Sequence, residues 1–167
     1  SLALAVSSFR AIQAQRPDAR FIWVGDGPSR AALERENPDF IFAGTRRGVD
    51  LASHYASADL FVFPSTSETF GNVTLEAMAS GVATVAYDYG AAREHIRDAI
   101  NGRAVEVDAA AAFTGAAVEL ACDGPRRRQL AAAGRRSVEG LCPDSVSRQF
   151  EHILVGLARG RAGERAA

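Results

Sequence analysis

Short apolar runs alternate with segments of helical periodicity through most of this chain. Five runs have the length and apolar content of strands, at 21–24, 40–43, 60–63, 82–86 and 104–107. Runs of this kind are typical of parallel strands, and the run at 21–24 is expected to be a central strand buried on both faces. The alternation predicts the α/β class, with a Rossmann-like, doubly wound parallel sheet whose ligands bind beyond the carboxyl ends of the strands.

The helical segments are bounded by residues that start or stop helices. Pro125 and Pro143 stand at the starts of two of them, and Gly81 follows the end of another as a C-cap residue. Residues 1–159 are expected to form one domain, and residues 160–167, which are small and polar, a flexible tail. The predicted helices cover 4–15, 30–36, 51–57 (with Tyr55 pointing inward), 72–79, 91–97, 109–122, 125–139 and 144–159.

The charge composition limits the classes of function. The chain has 19 cationic and 20 anionic side chains and a net charge of −1. This balance argues against a dedicated nucleic-acid-binding domain, because such domains depend on excess positive charge. All the cationic residues are arginine, so the sequence contains neither a Schiff-base lysine nor a P-loop lysine. Nucleic acid is therefore not an expected partner.

Cysteine and histidine usage indicates a protein without a metal centre. Cys122 and Cys142 form no CxxC pair and have no histidine at ligand spacing, so both are expected to be reduced and structural. His54, His95 and His152 share no ligand spacing and are interpreted as surface or packing residues. No apolar run approaches the roughly 18 to 20 residues of a membrane span, and no signal-peptide pattern opens the sequence. A cytoplasmic location is expected.

The loop after the third strand carries the most informative residues. Glu68 lies in the loop and Glu76 about one turn into the following helix, with Gly71 between them. Free N–H groups at a helix start attract phosphate, whereas carboxylates repel phosphate and accept hydrogen bonds from hydroxyl groups. A nucleotide sugar carries phosphates and hydroxyls and would satisfy both preferences. The spacing alone leaves an alternative open, in which Glu68 caps the helix and Glu76 complements the helix dipole.

The stretch at 61–90 resembles a known family signature. It reads FVFPSTSETFGNVTLEAMASGVATVAYDYG and is similar to the donor-site signature of the retaining glycosyltransferases of family 4, which have the GT-B fold. The two glutamates of that signature, with seven residues between them, fall on Glu68 and Glu76. The resemblance is greatest to the branch that contains GDP-mannose-dependent α-mannosyltransferases and sulfoquinovosyl-type transferases. The similarity extends to 16–34, 43–45, 56–65 and 101–108.

The resemblance implies a role for each candidate residue. Glu76 would accept hydrogen bonds from the ribose hydroxyls, and Glu68, as the catalytic carboxylate, would hold the donor sugar and help to stabilise charge at the anomeric carbon. The main-chain N–H groups at the helix start, those of Phe70, Gly71, Asn72 and Val73, would bind sugar and diphosphate. Thr45 and Arg46, after the second strand, would hold the nucleobase. Gly25 and Gly27, in the glycine turn after the first strand, would border the diphosphate. The glycine turn has an alternative explanation, since the connection alone also needs it.

The sequence departs from the family pattern in two places. The family's basic pair, an Arg and a Lys that neutralise the diphosphate, lies before the helix with which this sequence begins. The segment 90–94, GAARE, stands where relatives often have GG-x-x-E, a small-for-small change. In this family the last helix crosses to the N-terminal domain, so its apolar side chains are expected to lack cover in this chain. They are Phe150, Ile153, Leu154 and Leu157.

The resemblance predicts the donor-binding domain of a retaining glycosyltransferase, one half of a GT-B fold. The whole enzyme would move a hexose from GDP-mannose or a UDP-hexose to an acceptor hydroxyl, without a cofactor and, since no Asp-x-Asp pair occurs, without a metal ion. The expected partners are the donor and the N-terminal domain, with at most peripheral contact with the inner face of the membrane. Residues 1–167 alone are expected to be inactive. The alternative is a non-catalytic nucleotide-binding module. A Rossmann dehydrogenase would need GxGxxG, which is absent.

Overall fold

Helices and strands alternate in the computed structural model, which describes residues 1–164 and their side chains except those of Pro143 and residues 158–164. The predicted α/β class is confirmed, and each predicted element is present with ends that differ by a few residues. The helices are α1 (Leu2–Gln15), α2 (Arg30–Glu36), α3 (Gly48–Ala56), α4 (Asn72–Ala79), α5 (Ala91–His95), α6 (Ala110–Cys122), α7 (Gly124–Val138) and α8 (Pro143–Glu164). The strands are β1 (Ile22–Val24), β2 (Ile41–Gly44), β3 (Leu60–Phe63), β4 (Ala83–Tyr87) and β5 (Arg103–Val105).

The last helix continues beyond its predicted end at residue 159. It runs to Glu164, so residues 160–164 of the predicted tail are helical. Arginine, alanine and glutamate have high helix propensity, which explains why the helix continues although glycines interrupt this segment. Residues 165–167 of the predicted tail lie outside the described residues. The division of the chain at residue 159 stays a prediction.

The five strands form two parallel sheets rather than the single sheet that the alternation predicts. β1 pairs with β2, and β3, β4 and β5 form the second sheet in that order. Every strand pair is parallel. In the part of the chain that the structure describes, β1 and β3 are each paired along one edge only. Periodicity predicts that a strand forms, but it does not specify the neighbour of that strand.

β1 is an edge strand, so the expectation of a central strand buried on both faces is wrong for this segment. Ile22 and Val24, on one face, are 48% and 36% exposed, whereas Trp23 on the other face is half-buried. The strand with a fully buried pattern is β4, at all five of its positions. β4 lies between β3 and β5 and has helices packed against both of its faces.

Helix α1 contributes to the interior of both sheets. Near its start, Leu4 belongs to the core cluster that includes Phe113 of α6 and side chains of β4. About one turn further along, Phe9 stacks on Phe21 beside β1, with ring centroids 5.0 Å apart. The same ring meets Phe40, beside β2, edge-on at 5.2 Å. The packing of α1 therefore sets the position of the two-stranded sheet relative to the three-stranded one.

A second core cluster holds α4 and α5 beside the end of β4. Ala86 of β4 packs with Met78 of α4 and with Ala92 of α5, and all three side chains are buried. Because the chain leaves β3 and β4 at the same edge of the sheet, this packing also brings the loops before α4 and α5 together. These two loops form the candidate site described below.

Helix α8 carries an exposed apolar face, as the family resemblance implies. Phe150, Ile153 and Leu157 are 62%, 58% and 63% exposed. Most of the stability of a helix in a protein comes from packing of its apolar face. We therefore expect the amide protons of α8 to exchange at least about 100-fold faster than those of β4 when hydrogen exchange is measured on this chain. Equal protection of α8 and β4 in a monomer would contradict this expectation.

Candidate functional site

The candidate site lies at the carboxyl end of β3, where the strand is followed by the buried Pro64. In the loop that follows, the hydroxyl of Ser65 donates a hydrogen bond to Oε1 of Glu68 at 3.1 Å. Glu68 is half-buried and lines a narrow cleft together with Phe70 and Gly71. The end of β4, Tyr89 and Ala92 complete the cleft on the other side. The structure thus brings three of the predicted site residues into one cleft.

Helix α4 begins without a side-chain cap, and its first N–H groups are unpaired. Gly71 is the N-cap residue and has a φ of +97°, a left-handed conformation that favours glycine. Within residues 1–164, no acceptor receives a hydrogen bond from the N–H groups of residues 70–73. The helix dipole adds partial positive charge at the same place. The start of α4 therefore has the donors and the electrostatics of an anion-binding site.

The structure does not support the alternative in which the two glutamates only stabilise the helix. Glu68 accepts a hydrogen bond from Ser65, and its carboxylate does not cap α4. Glu76 is the fifth residue of α4, so it lies beyond the first turn, where a negative charge interacts best with the dipole. The arrangement leaves both carboxylates available to accept hydrogen bonds from a ligand.

Glu76 lies on the exposed side of α4, next to the phenol of Tyr55 on α3. Burial raises the pKa of Tyr55, and the negative charge of Glu76 raises it further. The phenol therefore stays protonated and can serve as a donor. Sequence reasoning placed Tyr55 on the inner side of its helix but missed the effect of the Glu76 charge on it, because no local pattern relates the two residues.

The loop before α5 fixes the main chain at the start of α4. The N–H of Ala91 donates to the carbonyl oxygen of Phe70 at 2.6 Å. Gly90 has a φ of +54°, and a Cβ atom at this position would overlap the same carbonyl oxygen and lie 3.3 Å from its carbon. Sequence reasoning treated this segment as a small-residue variation of a family motif. In the structure, this segment requires glycine at residue 90, and its hydrogen bond from Ala91 holds the main chain of Phe70 in place.

Four further predicted site residues lie on the two-stranded sheet, outside this cleft. The N–H of Gly25 donates to the carbonyl oxygen at the end of β2 at 2.9 Å, which holds the loops after β1 and β2 together. Gly25 has a φ of +126°, so the turn requires glycine for conformational reasons as well. Gly27, Thr45 and Arg46 are exposed, and Arg46 pairs with Asp50 at 3.2 Å. All four predicted residues follow the carboxyl ends of parallel strands, but none lines the cleft at Glu68.

The described side chains include no group of three or more His, Cys, Asp or Glu residues placed to hold a metal ion. Cys122 and Cys142 are free thiols, and both are exposed rather than part of the core. His95 packs edge-on against Phe70, with ring centroids 6.1 Å apart, which agrees with its interpretation as a packing residue. None of the described helices has the length and apolar content needed to cross a membrane.

Sequence comparison relates the chain to a known family. Residues 1–123 match the family model of the glycosyl transferases group 1. The GDP-mannose-dependent alpha-mannosyltransferase of Mycolicibacterium smegmatis is 40% identical over 163 residues, which cover 94% of this chain and 41% of that protein. The sulfoquinovosyl transferase of Arabidopsis thaliana is 44% identical over 79 residues, which cover 46% of this chain and 16% of that protein. The chain therefore spans less than half the length of these relatives.

Solved structures confirm the predicted match to one half of a GT-B fold. The pneumococcal O-GlcNAc transferase in complex with UDP and GlcNAc has a TM-score of 0.79 at 18% identity, over 94% of this chain and 33% of that one. The C-terminal domain of a glycosyl transferase group 1 family protein from Francisella tularensis has a TM-score of 0.67 at 27% identity, over 80% of this chain and 76% of that one. By sequence and by fold, the chain belongs to the glycosyl transferases of group 1 and corresponds to their C-terminal domain.

Proposed function

We propose that this chain is the donor-binding domain of a retaining glycosyltransferase, which moves a hexose from a nucleoside diphosphate sugar to an acceptor hydroxyl. The observation that carries the proposal is the start of α4, where the unpaired N–H groups of residues 70–73 lie between Glu68 and Glu76 in the sequence. This segment offers donors to a diphosphate and carboxylate acceptors to hydroxyl groups. Membership of the group 1 family supports the same assignment.

The proposed chemistry depends on charge stabilisation more than on a strong base. The leaving group is a nucleoside diphosphate, and the N–H groups and dipole of α4 would bind its developing negative charge. Glu68, oriented by Ser65, would hold the hydroxyls of the donor sugar and stabilise positive charge at the anomeric carbon. Glu76 would accept hydrogen bonds from the ribose. The proposal assigns none of these steps to a metal ion.

The two-stranded sheet would complete the donor site. Thr45 and Arg46 would hold the nucleobase, and Gly25 and Gly27 would border the diphosphate. Their position after the carboxyl ends of β1 and β2 supports this assignment, because ligands of open parallel sheets bind at that edge. The acceptor would bind to a further domain, since the relatives that match this chain are more than twice as long.

GDP-mannose is the donor that we propose. Two curated relatives that match most of this chain are described as GDP-mannose-dependent alpha-mannosyltransferases, one from Mycolicibacterium smegmatis at 40% identity and one from Corynebacterium glutamicum at 38%. A UDP-hexose is the alternative donor, because the candidate site residues do not by themselves distinguish the two bases. The experiment below compares the two donors directly.

Sugar transfer from labelled donors tests the proposal. The chain with its native flanking sequence is expected to transfer mannose from GDP-mannose, with retention at the anomeric carbon, to an acceptor in a lipid and glycan extract of the source cells. Residues 1–167 alone are expected to be inactive, because the chain spans only 41% of the length of the mannosyltransferase it matches. UDP-glucose serves as the competing donor in both assays.

The outcomes of this experiment separate the proposal from its alternatives. Transfer from UDP-glucose but not from GDP-mannose would overturn the choice of donor and leave the reaction class in place. Nucleotide binding without transfer by the flanked protein would favour a non-catalytic nucleotide-binding module. Transfer by residues 1–167 alone would contradict the assignment of the acceptor site to a further domain.

A further inference from the structure

Exposed aromatic side chains are concentrated at the candidate site. The chain has nine phenylalanines, three tyrosines and one tryptophan, and three of these side chains are exposed. One of them, Phe150, lies on the apolar face of α8, whereas the other two, Phe70 and Tyr89, both line the cleft that holds Glu68. A single exposed ring is ordinary on a protein surface, but two rings that converge on one cleft indicate a binding surface.

The main chain holds Tyr89 in place beside this cleft. Tyr89 closely follows β4, the strand that is buried at all five of its positions. The N–H of Tyr89 donates to the carbonyl oxygen of Tyr87 at 2.7 Å, and its carbonyl oxygen accepts a hydrogen bond from the N–H of Ala92 at 3.2 Å. The side chain is nevertheless 39% exposed. An exposed tyrosine ring on a well-held main chain offers contact area to a ligand at a small cost in conformational freedom.

Phe70 carries the second exposed ring of the cleft. Phe70 precedes α4 and Tyr89 precedes α5, so the two rings come from loops that follow the neighbouring strands β3 and β4. Phe70 is 37% exposed, and one side of its ring meets His95 edge-on. The cleft itself is too narrow to enclose a sugar ring. A ligand of that size would therefore lie across its mouth, against the exposed rings.

A hexose matches this combination of groups. Its ring has C–H groups on its faces and hydroxyl groups around its rim, so it can contact an aromatic ring and a carboxylate at the same time. The carboxylate of Glu68, which accepts hydrogen bonds, suits the hydroxyls, and an aromatic ring suits the apolar face. A phosphate group would be repelled by the carboxylate, and a wholly apolar ligand would leave it without a partner.

We propose that the ring of Tyr89 binds an apolar face of the donor sugar, while Glu68 accepts hydrogen bonds from hydroxyls of the same sugar. The inference rests on the proposed function and adds to it a contact residue to which the family resemblance gives no role. It assigns to the loop before α5 a direct part in binding the donor, besides its hydrogen bond to the main chain of Phe70. Tyr89 contributes to the affinity for the sugar and not to the affinity for the nucleotide.

Comparing GDP-mannose with GDP isolates the contribution of the sugar. In calorimetric titration of the chain with its native flanking sequence, without an acceptor, Tyr89→Ala is expected to lower GDP-mannose affinity about 5- to 20-fold and to leave GDP affinity unchanged. Tyr89→Phe keeps the ring and should retain most of the affinity for GDP-mannose. Ile100→Ala removes an exposed apolar side chain that precedes β5, at the opposite edge of the sheet, and as the matched control should change neither affinity.

Other results would overturn the inference, and its failure can be told from failure of the proposed function. Unchanged GDP-mannose affinity in Tyr89→Ala, or equal weakening for GDP and GDP-mannose, would show that the ring does not bind the sugar. Tyr89→Phe as weak as Tyr89→Ala would also overturn it, because the hydroxyl and not the ring would then carry the effect. UDP-glucose and UDP replace this pair if the transfer assay selects UDP-glucose. If the unmodified protein binds none of these ligands, the proposed function fails and the inference fails with it.

Discussion

The affinity for GDP is expected to fall about 30- to 1,000-fold when Glu76 is replaced with alanine. On the proposed function, this change removes two hydrogen bonds from ribose hydroxyls to a charged acceptor, each of which contributes roughly 1.5–3 kcal/mol. The two are not additive, so a total loss of about 2–4 kcal/mol is reasonable. Calorimetric titration of GDP into the chain with its native flanking sequence measures the effect. Glu76→Gln, which keeps one acceptor and loses the charge, should give an intermediate loss.

A matched control separates binding from helix stability. Glu36 is an exposed glutamate and the last residue of α2, so Glu36→Ala should leave GDP affinity unchanged. If Glu76 only stabilised its helix, its replacement would change stability by about 0.3–1 kcal/mol and leave binding as it was. Unchanged GDP affinity in a folded Glu76→Ala protein would contradict the assignment of this residue to the donor site.

Replacing Gly90 with alanine is expected to have a large effect on both stability and binding. The new Cβ would overlap the carbonyl oxygen of Phe70, and alanine would have to adopt the positive φ of this position. We expect a loss of roughly 2–4 kcal/mol in the free energy of unfolding, seen as a fall of about 5–15 °C in Tm. The segment at 70–71 can relieve the overlap only by moving. Because main-chain donors must keep their geometry to bind an anion, GDP affinity should also fall at least about tenfold.

The control for this variant is another glycine-to-alanine change with open space around it. Gly115 is exposed on α6, and a Cβ atom there would meet no atom within 4 Å. Gly115→Ala should therefore raise stability by up to about 1 kcal/mol and leave GDP affinity unchanged. A Gly90→Ala protein with the Tm and the GDP affinity of the original chain would show that the contact with Phe70 does not constrain the site.

Local signals predicted the elements of this fold well, and the arrangement of the strands less well. The bounds of β3 and α4 agree with the prediction at every residue, because Pro64, Gly71 and Gly81 mark their ends in the sequence. The apolar run at 21–24 also formed a strand, but its exposed face depends on which strands lie beside it. Strand neighbours are set by contacts distant in sequence, which hydrophobic periodicity does not encode.

The same distinction, between features that are local in sequence and contacts that are distant in sequence, applies to the candidate site. Glu68, Phe70 and Gly71 are close in sequence, and the structure places them in one cleft. The hydrogen bond between Phe70 and the loop before α5, and the effect of the Glu76 charge on Tyr55, each relate residues about twenty positions apart in sequence. These contacts depend on how β3, α3, α4 and α5 pack, and so they required a structure.

The division of the strands into two sheets has a consequence for how a nucleotide would bind. On the proposed function, the two-stranded sheet carries the residues for the base and one border of the diphosphate, and the three-stranded sheet carries those for the ribose, the sugar and the rest of the diphosphate. Helix α1 joins the sheets from the interior, because Phe9 packs on the rings of Phe21 and Phe40 beside the two-stranded sheet and Leu4 packs in the core of the three-stranded one. A nucleotide would join them again from the carboxyl edge. Both connections restrict the movement of one sheet relative to the other, so each would strengthen the other. Nucleotide affinity would therefore depend in part on an aromatic cluster buried inside the domain.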